Sequence, residues 1–389
     1  MKFLIYIFTI VLSCLILFFG HIYINNLRQN FHANMEEEII DYVPNYRARV
    51  LDIIFTDEIV TILSSSQDYE NEEELYTITT EIYFLALVED TNDEIIAIQT
   101  LTDMNIMPSR EVSQGDTVLL QFNEANGIYE LVGFVRIHYL IIFIAIMFIL
   151  MLFFGKMQGF NSIISLALTI AAIFLVFIPA ILYGANIYLW SILVSVYSTV
   201  TTLFIVIGFK KKTVVALISC LLSIGITSVL LIIMNYFIGL TGISGVETAD
   251  LLTFNENIDV LAIIFAGIII GSIGAIMDVS ISISSALWEL RQAGKNSFKE
   301  IYNSGVQIGK DILGTMSNTL VLAYIGSYLT VVLVLIIRFV SVLDIFHHEM
   351  IVTEILRAVI GVAGIFLTIP ISTIVSSFVY SSLDNKEFS

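Results

Sequence analysis

The chain has little of several things. Its 389 residues include two cysteines and four prolines, and only 13% are charged. Both cysteines, Cys14 and Cys220, sit in apolar runs, so neither a disulfide framework nor a cysteine-based zinc site is available. A soluble globular protein carries about 25% charged residues. Here hydrophobic residues make up 57%, and several apolar runs reach the roughly 20 residues needed to cross a bilayer. P-loop, HExxH, GxSxG and CxxC patterns are missing, which removes the signatures of ATPases, zincins, serine hydrolases and dithiol enzymes. Neither catalytic residues nor a cofactor are assigned, and the chain is not expected to be an enzyme.

Lysine is absent from one long stretch. Residues 21–138 hold 22 Asp and Glu against 5 Arg and no Lys, and this accounts for nearly all of the net charge of −18. Such a segment would repel phosphates, which excludes a nucleic-acid partner. It suits a solvated domain outside the cytoplasm.

What is present divides the chain into four parts. Residues 1–22 begin with Lys2 and continue as an apolar run without a small-x-small cleavage site, so they read as an uncleaved anchor helix. Residues 30–137 form the acidic domain. After a polar lead-in at Glu36–Asp41 come runs rich in Val, Ile, Tyr, Phe and Thr: Tyr46–Ile54, Tyr76–Val88, Glu94–Thr100, Thr117–Phe122 and Gly127–Val135. Turn signals at Thr91-Asn92-Asp93, Gln114-Gly115-Asp116 and Asn126-Gly127 separate several of them. Five short strands predict a small closed barrel of OB-like type. Residues 138–381 carry seven apolar segments, at about 138–155, 160–183, 187–208, 213–240, 258–285, 312–337 and 355–380. A tail, 382–389, follows. The expected fold is therefore an α-helical polytopic membrane protein of about eight spans, with a small β-barrel between the first two. Placing Lys2, Lys156, Lys210, Lys211, Lys212, Arg291, Lys295, Lys299, Lys310 and Lys386 on one side puts both termini in the cytoplasm and residues 30–137 outside.

The polar residues of the apolar segments carry what chemistry there is. A carboxylate at mid-bilayer costs roughly 3 kcal/mol or more, and such residues line polar paths or hold helices together. Asp278 is followed at helical spacing by Ser282 and Ser285. Asp311 is followed by Thr315, Asn318 and Thr319. Because the sixth and seventh spans are consecutive and antiparallel, the two polar faces are expected to meet. Asp278 is the candidate proton or cation site; a fixed carboxylate hydrogen-bonded to neighbouring hydroxyls is the competing reading. Asp311, next to Lys310, also reads as a helix-start residue at the interface. Gly267, Gly271 and Gly274 share a face of the sixth span and predict close helix packing. Residues 288–310 resemble an amphipathic element on the cytoplasmic surface. Ser198, Thr199, Thr201, Thr202 and Asn235 either extend the polar interior or bond back to their own helices. Pro179 and Pro370 predict kinks or helix ends. His347 and His348, with Asp344 and Glu349, lack a clear third ligand partner, so no metal is assigned.

The segments GAIMDVSISISSALWEL (274–290) and GKDILGTMSNTLVLAYIG (309–326) resemble the hallmark of the YibE/F family of bacterial membrane proteins. QGDTVLLQF (114–122) and IYELVGFVR (128–136) are similar to the outer domain of its longer, YibE-type members. The resemblance covers about residues 45–380. It implies a bacterial plasma membrane and a shorter YibF-type partner, and it supplies no established activity. A homo-oligomer is the other expected assembly, with the lipid bilayer as surroundings. The order of a membrane Asp, a basic loop and a Thr-rich next span is also similar, locally, to the SecD/SecF and RND transport families, and that likeness falls on Asp278. The functional expectation is an ion-gradient-driven secondary transporter or export-type factor. The alternative is a non-transporting scaffold whose outer domain binds a protein.

Overall fold

The computed structural model describes residues 2–34, 45–63, 75–102, 110–243, 245–255, 258–338 and 341–382. The lead-in at Glu36–Asp41 and most of the C-terminal tail lie outside them. The chain divides into two compact units, residues 37–149 and the remainder.

In the first unit, five strands close a barrel in the order β1-β2-β3-β5-β4. They are β1 (Asn45–Leu63), β2 (Leu75–Val88), β3 (Glu94–Thr102), β4 (Thr117–Asn123) and β5 (Ile128–Phe134). β3 and β5 run parallel and every other pair is antiparallel. Alternation decides the interior: Ala48, Val50, Ile82, Phe84, Ala86, Val88, Val118 and Leu120 point in, two residues apart along each strand. Closure also uses a buried amide. Gln99 accepts from the Val112 N–H at 2.7 Å and donates to the Arg110 carbonyl at 2.9 Å, which satisfies both ends of its side chain. β1 runs nine residues past its expected end, pairing with β2 along a long hairpin as far as Leu63↔Leu75.

The second unit is helical. Among the described residues of the chain, seven helices are long and apolar enough to cross a membrane, by length and composition, and one of them starts within the first unit. They include α1 (Lys2–Asn34), α4 (Ile187–Val206), α5 (Lys211–Ile238), α7 (Val260–Gln292), α8 (Phe298–Arg338) and α10 (Glu349–Ser381). The seventh is the stretch Ile137–Leu182, which comprises α2 (Ile137–Ala172), a π-helical turn (Ile173–Phe177) and α3 (Ile178–Leu182). α6 (Val246–Phe254) and α9 (Val342–His347) are short. α2 is broken at Lys156, where φ is 47° and ψ −126°. A Cβ added to Gly159 would meet the Met151 carbonyl, so the chain bends sharply there. The sequence places two segments on either side of this point.

α7 is the axis of the helical unit and packs on α4, α5, α8 and α10. Ile268, Ile269, Ile276, Val279, Ile283 and Leu287 are almost wholly buried along it. Hydroxyl residues fill the closest contacts because they are small. Ser280 of α7 meets Ser372 of α10 at 3.1 Å, while Ser219 and Ser223 of α5 donate back to carbonyls four residues earlier.

Two expectations are corrected here. Close approach is tightest at Gly305 and Gly309 of α8, while of Gly267, Gly271 and Gly274, where it was expected, only Gly271 has a tight neighbour, the Tyr324 hydroxyl at 3.2 Å from an added Cβ. An added Cβ on Gly305 would lie 2.7 Å from Thr373, and one on Gly309 would collide with Ile369. Gly267, Gly271 and Gly274 are exposed, and Gly274 has nothing within 4 Å of an added Cβ. The amphipathic stretch 288–310 is also not a separate surface element. α7 continues to Gln292 and α8 begins at Phe298, burying Ile301, Gly305 and Gly309.

Candidate functional site

Asp278 lies 18 residues into α7, about 27 Å from its start at 1.5 Å per residue. Asp259 fixes that start by accepting from the Ala262 N–H at 2.9 Å. The carboxylate is on the exposed flank of the helix and lines a cavity of about 430 Å³ between α2, α4 and α7.

Two helices supply the remaining polar lining. Ser162, Ser165 and Thr169 come from the second half of α2, and Ser198 and Thr202 from α4. Both sets recur at helical spacing, so each faces one way. They also join the helices: Ser165 donates to Thr202 at 2.7 Å, and Thr169 and Ser198 are 3.1 Å apart. Leu166, Ile173, Val194, Ile270, Ile273 and Met277 form much of the apolar wall. The lining holds one carboxylate and five hydroxyls, with no lysine, arginine or histidine. Oxygen donors with one negative charge can hold a proton or a hard cation.

Several expected partners are elsewhere. Ser282 is exposed and Ser285 half-buried, and neither lines the cavity. No residue of α8 lines it. Asp311, Thr315, Asn318 and Thr319 are exposed on α8, although α7 and α8 touch, with the Tyr324 hydroxyl against Gly271. Thr315 donates to the Ile312 carbonyl and Thr319 to the Thr315 carbonyl, so both hydroxyls are spent on their own helix. The expected meeting of the Asp278 and Asp311 faces is replaced by a meeting of Asp278 with hydroxyls of α2 and α4.

Sequence reasoning had named Ser198 and Thr202. It missed Ser162, Ser165 and Thr169, whose spacing of three and four residues was the available signal. It also missed a partly buried ion pair. α10 starts at Glu349 rather than near residue 355, so Glu354 and Arg357 belong to the helix, with Arg357 Nη1 2.6 Å from Glu354 Oε1.

The histidine segment 347–348 gathers no metal ligands: among the described residues no group of three or more His, Cys, Asp or Glu side chains is placed to hold an ion. Glu349 instead ties the loop after α5 to the start of α10. Its carboxylate accepts from the N–H groups of Thr241 and Gly242 at 2.8 and 2.6 Å and from the Thr241 hydroxyl at 2.7 Å.

Residues 143–382, more than half of the chain, match the family described as YibE/F-like protein. That range contains every residue of the cavity. Neither a curated protein nor a solved structure matches the chain.

Proposed function

We propose that this chain, which belongs to the YibE/F-like family, is an ion-gradient-driven secondary transporter or export-type factor of the bacterial plasma membrane. Asp278 is the group that binds and releases the coupling cation. One observation carries the reading: an intramembrane carboxylate faces a cavity whose other polar groups are all hydroxyls. A basic side chain there would neutralise Asp278 permanently; hydroxyls solvate a cation and let it go. The local likeness to SecD/SecF and RND families rests on the same aspartate.

The proposed topology has eight crossings, with Ile137–Leu182 counted as two because the helix is broken at Lys156. Lys156 then joins Lys2, Lys210–Lys212, Lys295, Lys299 and Lys310 on the cytoplasmic side, and the barrel lies outside.

A second reading is a non-transporting scaffold whose outer domain, the acidic barrel, binds a protein partner. Asp311 and Asn318, exposed on α8, separately suit cover by another membrane protein, a YibF-type partner or a second copy.

Proton and sodium uptake into proteoliposomes separates the two. Under the transport reading, Asp278→Asn abolishes uptake while expression and assembly are unchanged, and Thr202→Val raises the cation concentration needed for half-maximal uptake. Wild-type vesicles that take up neither cation, or an Asp278→Asn protein that transports normally, would end that reading. Under the scaffold reading, deletion of residues 40–135 is the change that abolishes function.

A further inference from the structure

A second cavity, of about 530 Å³, lies between α8 and α10, apart from Asp278. Its walls are apolar: Val321, Ile325 and Val332 from α8, and Val359, Ala363 and Phe366 from α10, among others. Ile325, Val359 and Phe366 remain 45–54% exposed, so the groove opens along the flank of the unit that a bilayer would cover. From Ile351 to Phe366 it follows α10 for about 22 Å at 1.5 Å per residue.

One end of the groove is polar. Glu354 lines it and is 8% exposed. Arg357 Nη1 holds Oε1 at 2.6 Å, while Oε2 and the Arg357 Nε have no hydrogen-bond partner. Tyr324 stands beside it in the lining. A buried carboxylate oxygen without a donor is costly. Because Arg357 already supplies the compensating charge, a neutral donor suits Oε2 better than a second cation. Glu354 lies only five residues from the start of α10, so the polar end is close to a membrane boundary and the apolar length runs inward.

We propose that this groove binds an uncharged amphiphile, a hydroxyl head on a single long apolar chain, such as a long-chain or isoprenoid alcohol or a quinol. The hydroxyl donates to Glu354 Oε2 and the chain lies between α8 and α10 toward Phe366. A phospholipid fits less well, since its second chain and charged head have no counterpart in the lining.

Photolabelling of the full chain in nanodiscs tests this with three probes: a diazirine-bearing hexadecanol, its methyl ether and a diazirine-bearing phosphatidylcholine. The alcohol should label peptides covering residues 321–332 and 351–366, and unlabelled hexadecanol should compete. The ether, which cannot donate, should label about tenfold less, as expected for one lost hydrogen bond to a charged group. Ala363→Phe fills the groove without touching the ion pair and should remove the labelling. Equal labelling by the ether, equally saturable labelling by the phosphatidylcholine probe, or labelling that survives Ala363→Phe would each overturn the proposal.

Discussion

The Nε of Arg291 donates to the backbone carbonyl of Tyr380 at 2.9 Å, joining the last turn of α7 to the last turn of α10. Arg291 is 5% exposed. The Tyr380 hydroxyl, fully buried, pairs with Ser284 of α7 at 2.7 Å. A guanidinium at a helix C-terminus satisfies an otherwise orphaned carbonyl and complements the helix dipole. Arg291→Met should therefore lower stability by about 2–3 kcal/mol, the cost of a lost charge-assisted bond plus an unpaired carbonyl. Thermal unfolding in detergent measures it, and an unchanged midpoint would contradict this role for Arg291.

Gly309 and Gly274 should respond oppositely to the same substitution. Gly309→Ala drives a methyl group into Ile369 and should destabilise by roughly 1–3 kcal/mol. Ile369→Ala in the same chain should restore part of the loss by making room. Gly274→Ala meets nothing within 4 Å and should leave the unfolding midpoint where it was or raise it slightly. A Gly309→Ala protein as stable as wild type would refute the close approach of α8 and α10.

In the barrel, the Tyr83 hydroxyl donates to Glu81 at 2.8 Å. This bond raises the ionisation of the phenol above its ordinary value of 10.0, helped by desolvation and by the negative charges of Glu81 and Asp57. The sign follows from linkage. A group whose folded value is raised contributes stability that is fully present below its unfolded value. That contribution is lost as pH climbs through the folded value. The Tyr83–Glu81 contact should thus be intact at neutral pH and fail only in strong alkali. An ultraviolet titration of the full chain, differenced against Tyr83→Phe, should place Tyr83 above 10.0, and Glu81→Gln should bring it down. No downward movement in Glu81→Gln would show that the bond does not set the titration.

The barrel and the helices were legible for local reasons. Alternation of apolar residues two apart, broken by Gly115 and Gly127, suffices to place the strands, because side-chain direction in a strand depends on position alone. The glycines at the tips of these turns take φ of 90° and 70°, which other residues rarely adopt. The long apolar runs needed only their length. Lys156, between the apolar segments 138–155 and 160–183, marked the break in α2. The end of β1 was less legible, since the pairing of Ile59 with Thr79 in the hairpin is a cross-strand fact.

The sequence alone determined that this is a membrane protein of many helices with an acidic β-domain, and that Asp278 is a costly residue to keep in an apolar segment. Membership of the YibE/F-like family lay in the same residues. Tertiary structure decided what Asp278 faces. Helical spacing puts Ser162, Ser165 and Thr169 on one face, but which neighbouring helix that face meets is set by packing between distant segments. Nearness in sequence favoured α8, whereas the glycines at 305 and 309 turn α8 toward α10 and leave the Asp278 flank to α2 and α4. The same holds for Glu354 and Arg357. Read singly they mark the end of a span, but one turn apart on a formed helix they neutralise each other, and α10 carries them inside.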